Sequence, residues 1–220
     1  MTSRLTAILF DMDGVIVDSE PLWRKAEIQV FGGYDIVLTD EMCRGTKGMR
    51  LDHVVSHWLE HFDRPELDTV KVEQEIVETM EELLSSEAVA LPGVDAVFDY
   101  CRSESIPWNI ATSSTRRLAE AALRKLGLWE QVSERIVTGD QVSEPKPAPE
   151  IFIEASRRIG LEPKDCLVIE DSSHGCLAGK RAGATVLVVP ELGAPVEGAF
   201  DEADFIHEVL SVTSVSTLIG

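Results

Sequence analysis

Four short segments carry residue types suited to chemistry, and they follow one another along a chain of 220 residues. The first is Phe10-Asp11-Met12-Asp13-Gly14-Val15-Ile16-Val17-Asp18-Ser19-Glu20. An apolar run, Ala7-Ile8-Leu9-Phe10, drives into two carboxylates spaced i, i+2. An apolar run ending in acids reads as a buried strand whose end opens onto a site. In extended backbone, side chains at i and i+2 leave the same face. Two anions that close repel each other unless positive charge sits between them, and a hard divalent cation with oxygen ligands is the economical solution. The second segment is Ile110-Ala111-Thr112-Ser113-Ser114, where a hydroxyl at a strand end can donate to an anionic oxygen. The third is Glu144-Pro145-Lys146-Pro147-Ala148-Pro149, a lysine on a stiff backbone between two prolines. The fourth is Val168-Ile169-Glu170-Asp171-Ser172, a second apolar strand ending in acids. Each has an ordinary explanation alone. Ser and Thr cap helices, Lys-Pro makes turns, and acids favour the N-terminus of a following helix. Together and in this order they point to one site.

The elements that must position these residues follow from periodicity. Strand signals fall at Ala7–Phe10, Trp108–Ala111, Arg135–Thr138, Cys166–Glu170 and Thr185–Val189. Between them, Thr115–Leu126 carries Leu118, Ala122 and Leu126 at helical spacing and stops at Gly127. Pro149–Ile159 opens with proline and closes at Gly160. His174–Ala182 is rich in small residues that suit close packing on a sheet. This alternation predicts an α/β fold: a Rossmann-like, doubly wound parallel sheet with helices on both faces. One region breaks it. Pro21–Phe31, Arg50–Phe62 and Leu67–Leu84 read as helices, with no good strand among them. Leu91-Pro92-Gly93-Val94 then punctuates the return. The expected organisation is a catalytic core over 1–17 and 91–220 with an inserted α-helical domain over 18–90.

Composition excludes several function classes. Twenty basic and 39 acidic residues give a formal net charge of −19. Nucleic acid and anionic membrane surfaces need a basic face, so neither is expected as a partner. A small anionic substrate is compatible, because a cation and a few Lys or Arg reverse the sign locally. The densest acidic run, Glu73–Glu87, reads as a solvated helix face. Residues 1–5 lead straight into the first strand without a signal-like apolar segment, and no stretch approaches the length of about 20 apolar residues that a membrane helix needs. Cys43, Cys101, Cys166 and Cys176 show no metal or redox spacing, and Cys166 and Cys176 read as buried small residues. The expectation is a cytoplasmic protein, and nothing demands more than a monomer.

With these segments in place, the chain resembles the haloacid dehalogenase-like hydrolases, phosphatases and phosphomutases with an aspartate nucleophile. The resemblance runs from Ala7 to about Val189 and implies the α-helical cap subclass, in which the insert closes over the site and selects the substrate. It implies Asp11 as nucleophile and Asp13 as general acid/base. It assigns Thr112 to phosphate binding, with the backbone N–H groups of Ser113 and Ser114 nearby. Lys146 then neutralises the nucleophile and the transferring group. Mg²⁺ is the implied cofactor, held by Asp11, the backbone carbonyl of Asp13 and Asp171, with Glu170 binding directly or through water.

Within the family, Asp18-Ser19-Glu20-Pro21-Leu22-Trp23 and Gly48-Met49-Arg50-Leu51-Asp52-His53 resemble bacterial 2-deoxyglucose-6-phosphatases and hexitol phosphatases. The implied substrate is a small sugar or polyol phosphate, with Glu20, Lys47 and Arg50 as candidate contacts from the insert. The competing relative is β-phosphoglucomutase. Its pattern places His where this chain has Trp23, and arginine where this chain has Gly48. His53, His57 and His61 fall along one helical stripe and read as a polar face. His174 follows the fourth segment and is a candidate substrate contact by sequence proximity.

Overall fold

The computed structural model describes residues 5–46, 49–190 and 200–219. The chain divides into two compact units, Met1–Asp18 with Val89–Gly220, and Ser19–Ala88. The first unit opens with β1 (Ala7–Phe10). The second supplies α1 (Glu20–Gly33), α2 (Asp40–Gly45), α3 (Leu51–His61) and α4 (Thr69–Glu87). The first unit resumes with α5 (Val94–Ser103), β2 (Trp108–Thr112), α6 (Arg116–Lys125), α7 (Trp129–Val132) and β3 (Val137–Thr138). It ends with α8 (Glu150–Arg158), β4 (Cys166–Glu170), α9 (Ser173–Ala182), β5 (Thr185–Val188), β6 (Phe205–Ile206) and α10 (Val212–Ser216).

Among the described residues, six parallel strands form one sheet in the order β3-β2-β1-β4-β5-β6. Central strands are buried on both faces, so they read as continuous apolar runs. Their side chains still sort with a period of two. Leu9, Val168 and Val186 meet Ile151, Phe152 and Ala155 of α8 and Cys176 and Ala178 of α9 in one core layer. Phe10 lies in the other layer, its ring 4.9 Å from Phe98 of α5, and Phe98 is in turn 4.6 Å from Trp108. Phe10 pairs in register with Ile110 on one side and Ile169 on the other. Hence Asp11 just after β1, the Ala111–Thr112 end of β2 and Glu170 at the end of β4 arrive side by side. Strand order reverses across β1, between β2 and β4, and open α/β sheets form their crevice at such a switch point.

The helical unit holds itself together by the same periodicity. Val72, Ile76, Met80 and Leu84 make the buried stripe of α4, which packs on α1 and α3. The Asp68 carboxylate accepts from the Val70 N–H and caps α4, and Thr39 Oγ1 accepts from the Met42 N–H and caps α2. His53, His57 and His61 are exposed on α3 while Trp58 among them is buried. No helix among the described residues is long and apolar enough to cross a membrane.

Several expectations need correction. Arg135–Thr138 shortens to a two-residue strand, because the N–H groups of Arg135 and Ile136 are spent on the Val132 carbonyl as α7 unwinds. The sheet has a sixth strand, β6, which the sequence reading lacked; two residues leave no alternation to detect. Helix α5 was also not anticipated. Its N-cap is Gly93 with φ of 87°, which carries no capping side chain, although Val94, Val97, Phe98 and Cys101 mark its buried stripe.

The aromatic layer yields a stability prediction. Phe98→Ala removes a fully buried ring between Phe10 and Trp108, and such truncations cost about 3–5 kcal/mol. Chemical denaturation should show a loss of that size with helix and strand content unchanged in dilute buffer.

Candidate active site

The site begins with a lysine that has nowhere to shed its charge. Lys146 Nζ lies 2.6 Å from Asp11 Oδ1 and 2.7 Å from Glu170 Oε1, and it donates to the Ala111 carbonyl at 3.2 Å. Its side chain is 6% exposed and sits 4.9 Å from the centre of the Phe152 ring. Burial would strip the proton from this ammonium, but the charges of Asp11 and Glu170 outweigh burial and hold it above the ordinary lysine range. The lysine is a fixed cation.

Glu170 is fully buried, and both of its oxygens are engaged. Oε1 faces Lys146, while Oε2 accepts from the Asp171 N–H at 2.9 Å, the Ser172 N–H at 2.8 Å and the Ser172 hydroxyl at 2.9 Å. A Cβ on Gly175 would overlap this carboxylate, so the close approach of α9 needs glycine there. Sequence reasoning missed this clamp. Its signal was present in Ser172, which also caps α9 by accepting from the Gly175 N–H.

Asp11 follows β1, and its N–H donates to the Ile169 carbonyl at 2.9 Å. Burial pushes its carboxyl upward, with reinforcement from Glu170 and Asp13, and the Lys146 ammonium pulls against that rise and favours the charged form. Burial likewise holds Asp171 well above the usual carboxylate range, with Glu170 and Asp11 adding repulsion. Oxygen atoms of Asp11, Glu170 and Asp171 lie within 4.8 Å of one another. Among the described residues the Asp171 carboxylate accepts no hydrogen bond. Gly14, with φ of 75°, lets the turn after β1 pass directly over that carboxylate; a Cβ there would overlap Asp171 Oδ2.

Asp13 points elsewhere. Its Oδ2 accepts from the Ser114 hydroxyl at 2.7 Å and the Thr112 hydroxyl at 3.3 Å. The residues expected to bind phosphate lie beside it. Thr112 is fully buried, its hydroxyl reaches Asp13, and its Oγ1 also takes the Ser114 N–H at 3.0 Å. Of the two backbone donors expected beside it, only the Ser113 N–H is left uncommitted among the described residues. Glu20 opens α1 and lies 3.9 Å from Arg24; Arg50 is the N-cap residue of α3 and its exposed guanidinium is held by Asp52 at 3.1 and 3.2 Å. Lys47 lies outside the described residues. His174 is exposed on the first turn of α9.

Both the sequence and the fold of this chain are shared with known proteins. The family model of haloacid dehalogenase-like hydrolases matches residues 8–189. The chain belongs to the haloacid dehalogenase-like hydrolases. Hexitol phosphatase B of Escherichia coli (strain K12) is 28% identical over 219 residues, covering 99% of this chain and 98% of that protein. Fructose-1-phosphate phosphatase YqaB of Escherichia coli (strain K12) is 32% identical over 183 residues, covering 83% of this chain and 95% of that protein. The crystal structure of a putative β-phosphoglucomutase from Thermotoga maritima superposes with a TM-score of 0.79 at 28% identity, covering 91% of this chain and 93% of that one.

Enzymes of this family generally work with a divalent metal, and the residues here fit one. The carboxylates of Asp11, Glu170 and Asp171 cluster together, with Asp13 close by, and among the described residues Lys146 is the one ammonium in contact with them, so the site is short of positive charge. The donors are all hard oxygens, and the Asp171 carboxylate has no competing hydrogen bond among the described residues. A prediction follows from this imbalance. In EDTA, Asp171→Asn should melt at or above the wild-type temperature, because it removes a repelled carboxylate. Divalent metal should raise the melting temperature of the wild type by mass action and leave the variant unmoved. A metal-induced rise of equal size in both proteins would exclude Asp171 as a ligand.

Proposed function

We propose that this enzyme is a Mg²⁺-dependent phosphomonoesterase that hydrolyses small sugar or polyol phosphates through an aspartyl-phosphate on Asp11. The observation that carries the reading is Lys146, buried as a fixed cation against the Asp11 carboxylate. A carboxylate so placed is a nucleophile whose charge is balanced before the substrate arrives.

In the first half-reaction an Asp11 oxygen attacks phosphorus and the ester P–O bond breaks. Asp13 gives its proton to the departing sugar oxygen. In the second, Asp13 takes a proton from water as that water attacks the phosphorus. The bond to Asp11 breaks, and inorganic phosphate leaves with Asp11 regenerated. Lys146 opposes the negative charge of the phosphoryl oxygens throughout, and the Ser113 N–H supplies a further donor. Mg²⁺ held by Asp11, Asp171 and the backbone carbonyl of Asp13 would supply the remaining positive charge for phosphoryl transfer. Glu170, with both oxygens engaged, serves as the anchor of Lys146.

The substrate class is supported by the names of the relatives, a hexitol phosphatase and a fructose-1-phosphate phosphatase. On this reading the helical unit over 18–90 is the cap that selects the substrate, with Glu20, Lys47 and Arg50 as contacts. Four free, buried cysteines suit a reducing cytoplasm. The likeness to a putative β-phosphoglucomutase favours one second reading, in which the phosphoryl group returns to sugar. Trp23, standing where the mutase pattern has His, weighs against it.

Phosphate release from a panel of sugar and polyol phosphates, with Mg²⁺ or EDTA, tests the proposal. Asp11→Asn should abolish metal-dependent release. Asp13→Asn should slow it by about 10²–10⁴-fold, the usual worth of general acid/base catalysis. Glucose 6-phosphate formed from β-glucose 1-phosphate only when a bisphosphate activator is added, with no phosphate release, would make the enzyme a mutase instead.

A further inference from the structure

We infer that Ser114 is a positioning residue for Asp13, fixing which carboxylate oxygen is presented to the leaving group. This deepens the phosphatase reading and rests on it. The backbone of Asp13 is already held, since the N–H groups of Ile16 and Val17 both donate to the Met12 carbonyl at 2.9 Å and the Gly14 N–H donates to the Val17 carbonyl at 3.0 Å. What remains free is the rotation of the side chain. Ser114 Oγ restrains it at 2.7 Å from Oδ2, the short distance typical of a hydroxyl on a carboxylate. The Thr112 hydroxyl reaches the same oxygen at 3.3 Å, a much weaker hold.

Ser114 is itself braced on both sides. Its N–H donates to Thr112 Oγ1 at 3.0 Å, and its carbonyl accepts from the Gly139 N–H at 2.9 Å. The serine therefore transmits the position of β2 and of the turn after β3 to a carboxylate that follows β1. With both hydroxyls on Oδ2, the other oxygen, Oδ1, accepts no hydrogen bond among the described residues. Oδ1 is thus the oxygen free to carry a proton to the departing sugar oxygen. Proton transfer demands hydrogen-bond reach, and small misplacement is costly.

Leaving groups separate this role from simple phosphate binding. A sugar alkoxide needs a proton to depart; p-nitrophenolate departs without one. A phosphate contact, or a purely structural role, serves both substrates equally. The experiment measures kcat/KM, which covers the steps up to leaving-group departure. The substrates are p-nitrophenyl phosphate and the sugar phosphate that the wild type turns over fastest. Ser114→Ala should lose about tenfold more on the sugar phosphate than on p-nitrophenyl phosphate, a part of the 10²–10⁴ that acid/base catalysis supplies. Ser114→Thr, which keeps the hydroxyl, should restore the ratio. In an Asp13→Asn background Ser114→Ala should leave the ratio where Asp13→Asn alone puts it, because residues acting through one another are not additive. Should Ser114→Ala melt early, Ser114→Cys, with nearly the same shape and a weak donor, takes its place. Equal losses on both substrates, or no loss on either, would overturn the inference. If the wild type released phosphate from neither substrate, the phosphatase reading itself would fall, and this inference with it.

Discussion

Burying like charges at the end of a sheet is the constraint from which the rest of the first unit follows. Asp11, Asp13, Glu170 and Asp171 converge on the carboxyl ends of β1 and β4, and among the described residues only Lys146 opposes them there with an ion pair. An uncompensated buried charge costs about 3–5 kcal/mol when its partner is removed. Lys146 therefore has to be placed accurately and kept charged. Glu170 does the placing, and Ser172 and two backbone N–H groups hold Glu170. Gly175 leaves room for that carboxylate under α9. A network of this kind is stiff at its centre, because Lys146 and Glu170 each answer to several partners.

The sheet converts that local demand into a fold. The acids can meet only if β1 lies between β2 and β4 in the register that sets Phe10 beside Ile110 and Ile169. Apolar runs on both faces secure that register, with Phe98 and Trp108 beneath one layer and Phe152 beneath the other. Phe152 also approaches Lys146, so the same ring seals the core and lines the crevice. Stability and chemistry thus share residues here, and excess negative charge is tolerated at one point because the surrounding layers are well packed.

Much of this was legible in the sequence. Apolar runs that stop at acids gave Ala7–Phe10 and Cys166–Glu170 to the residue, since a buried strand and a polar terminus leave opposite composition signals. The order of Asp11, Thr112, Lys146 and Asp171 marked the site. Side-chain direction was not legible. Residue type marked Thr112 as a candidate phosphate donor, but that the Thr112 and Ser114 hydroxyls face Asp13 shows only in the folded geometry. Glu170 was marked by position as a candidate metal ligand, and the fold adds contacts the sequence did not show: two neighbouring N–H groups and a hydroxyl on one oxygen and Lys146 on the other. The short elements, β6 and α7, were invisible because two to four residues carry no period. Helix α2 was also missed at six residues, although Thr39 offered a capping signal.

The central claim is that the balanced carboxylate of Asp11 is the group that receives the phosphoryl. The most direct measurement is to quench the enzyme in acid during its first turnover with a sugar phosphate and Mg²⁺, reduce with borohydride, and sequence the peptides by mass spectrometry. An acyl phosphate is reduced to an alcohol, so the account predicts homoserine at Asp11 and at no other carboxylate. Phosphate release with Asp11 unmodified, or reduction at a different acid, would contradict it.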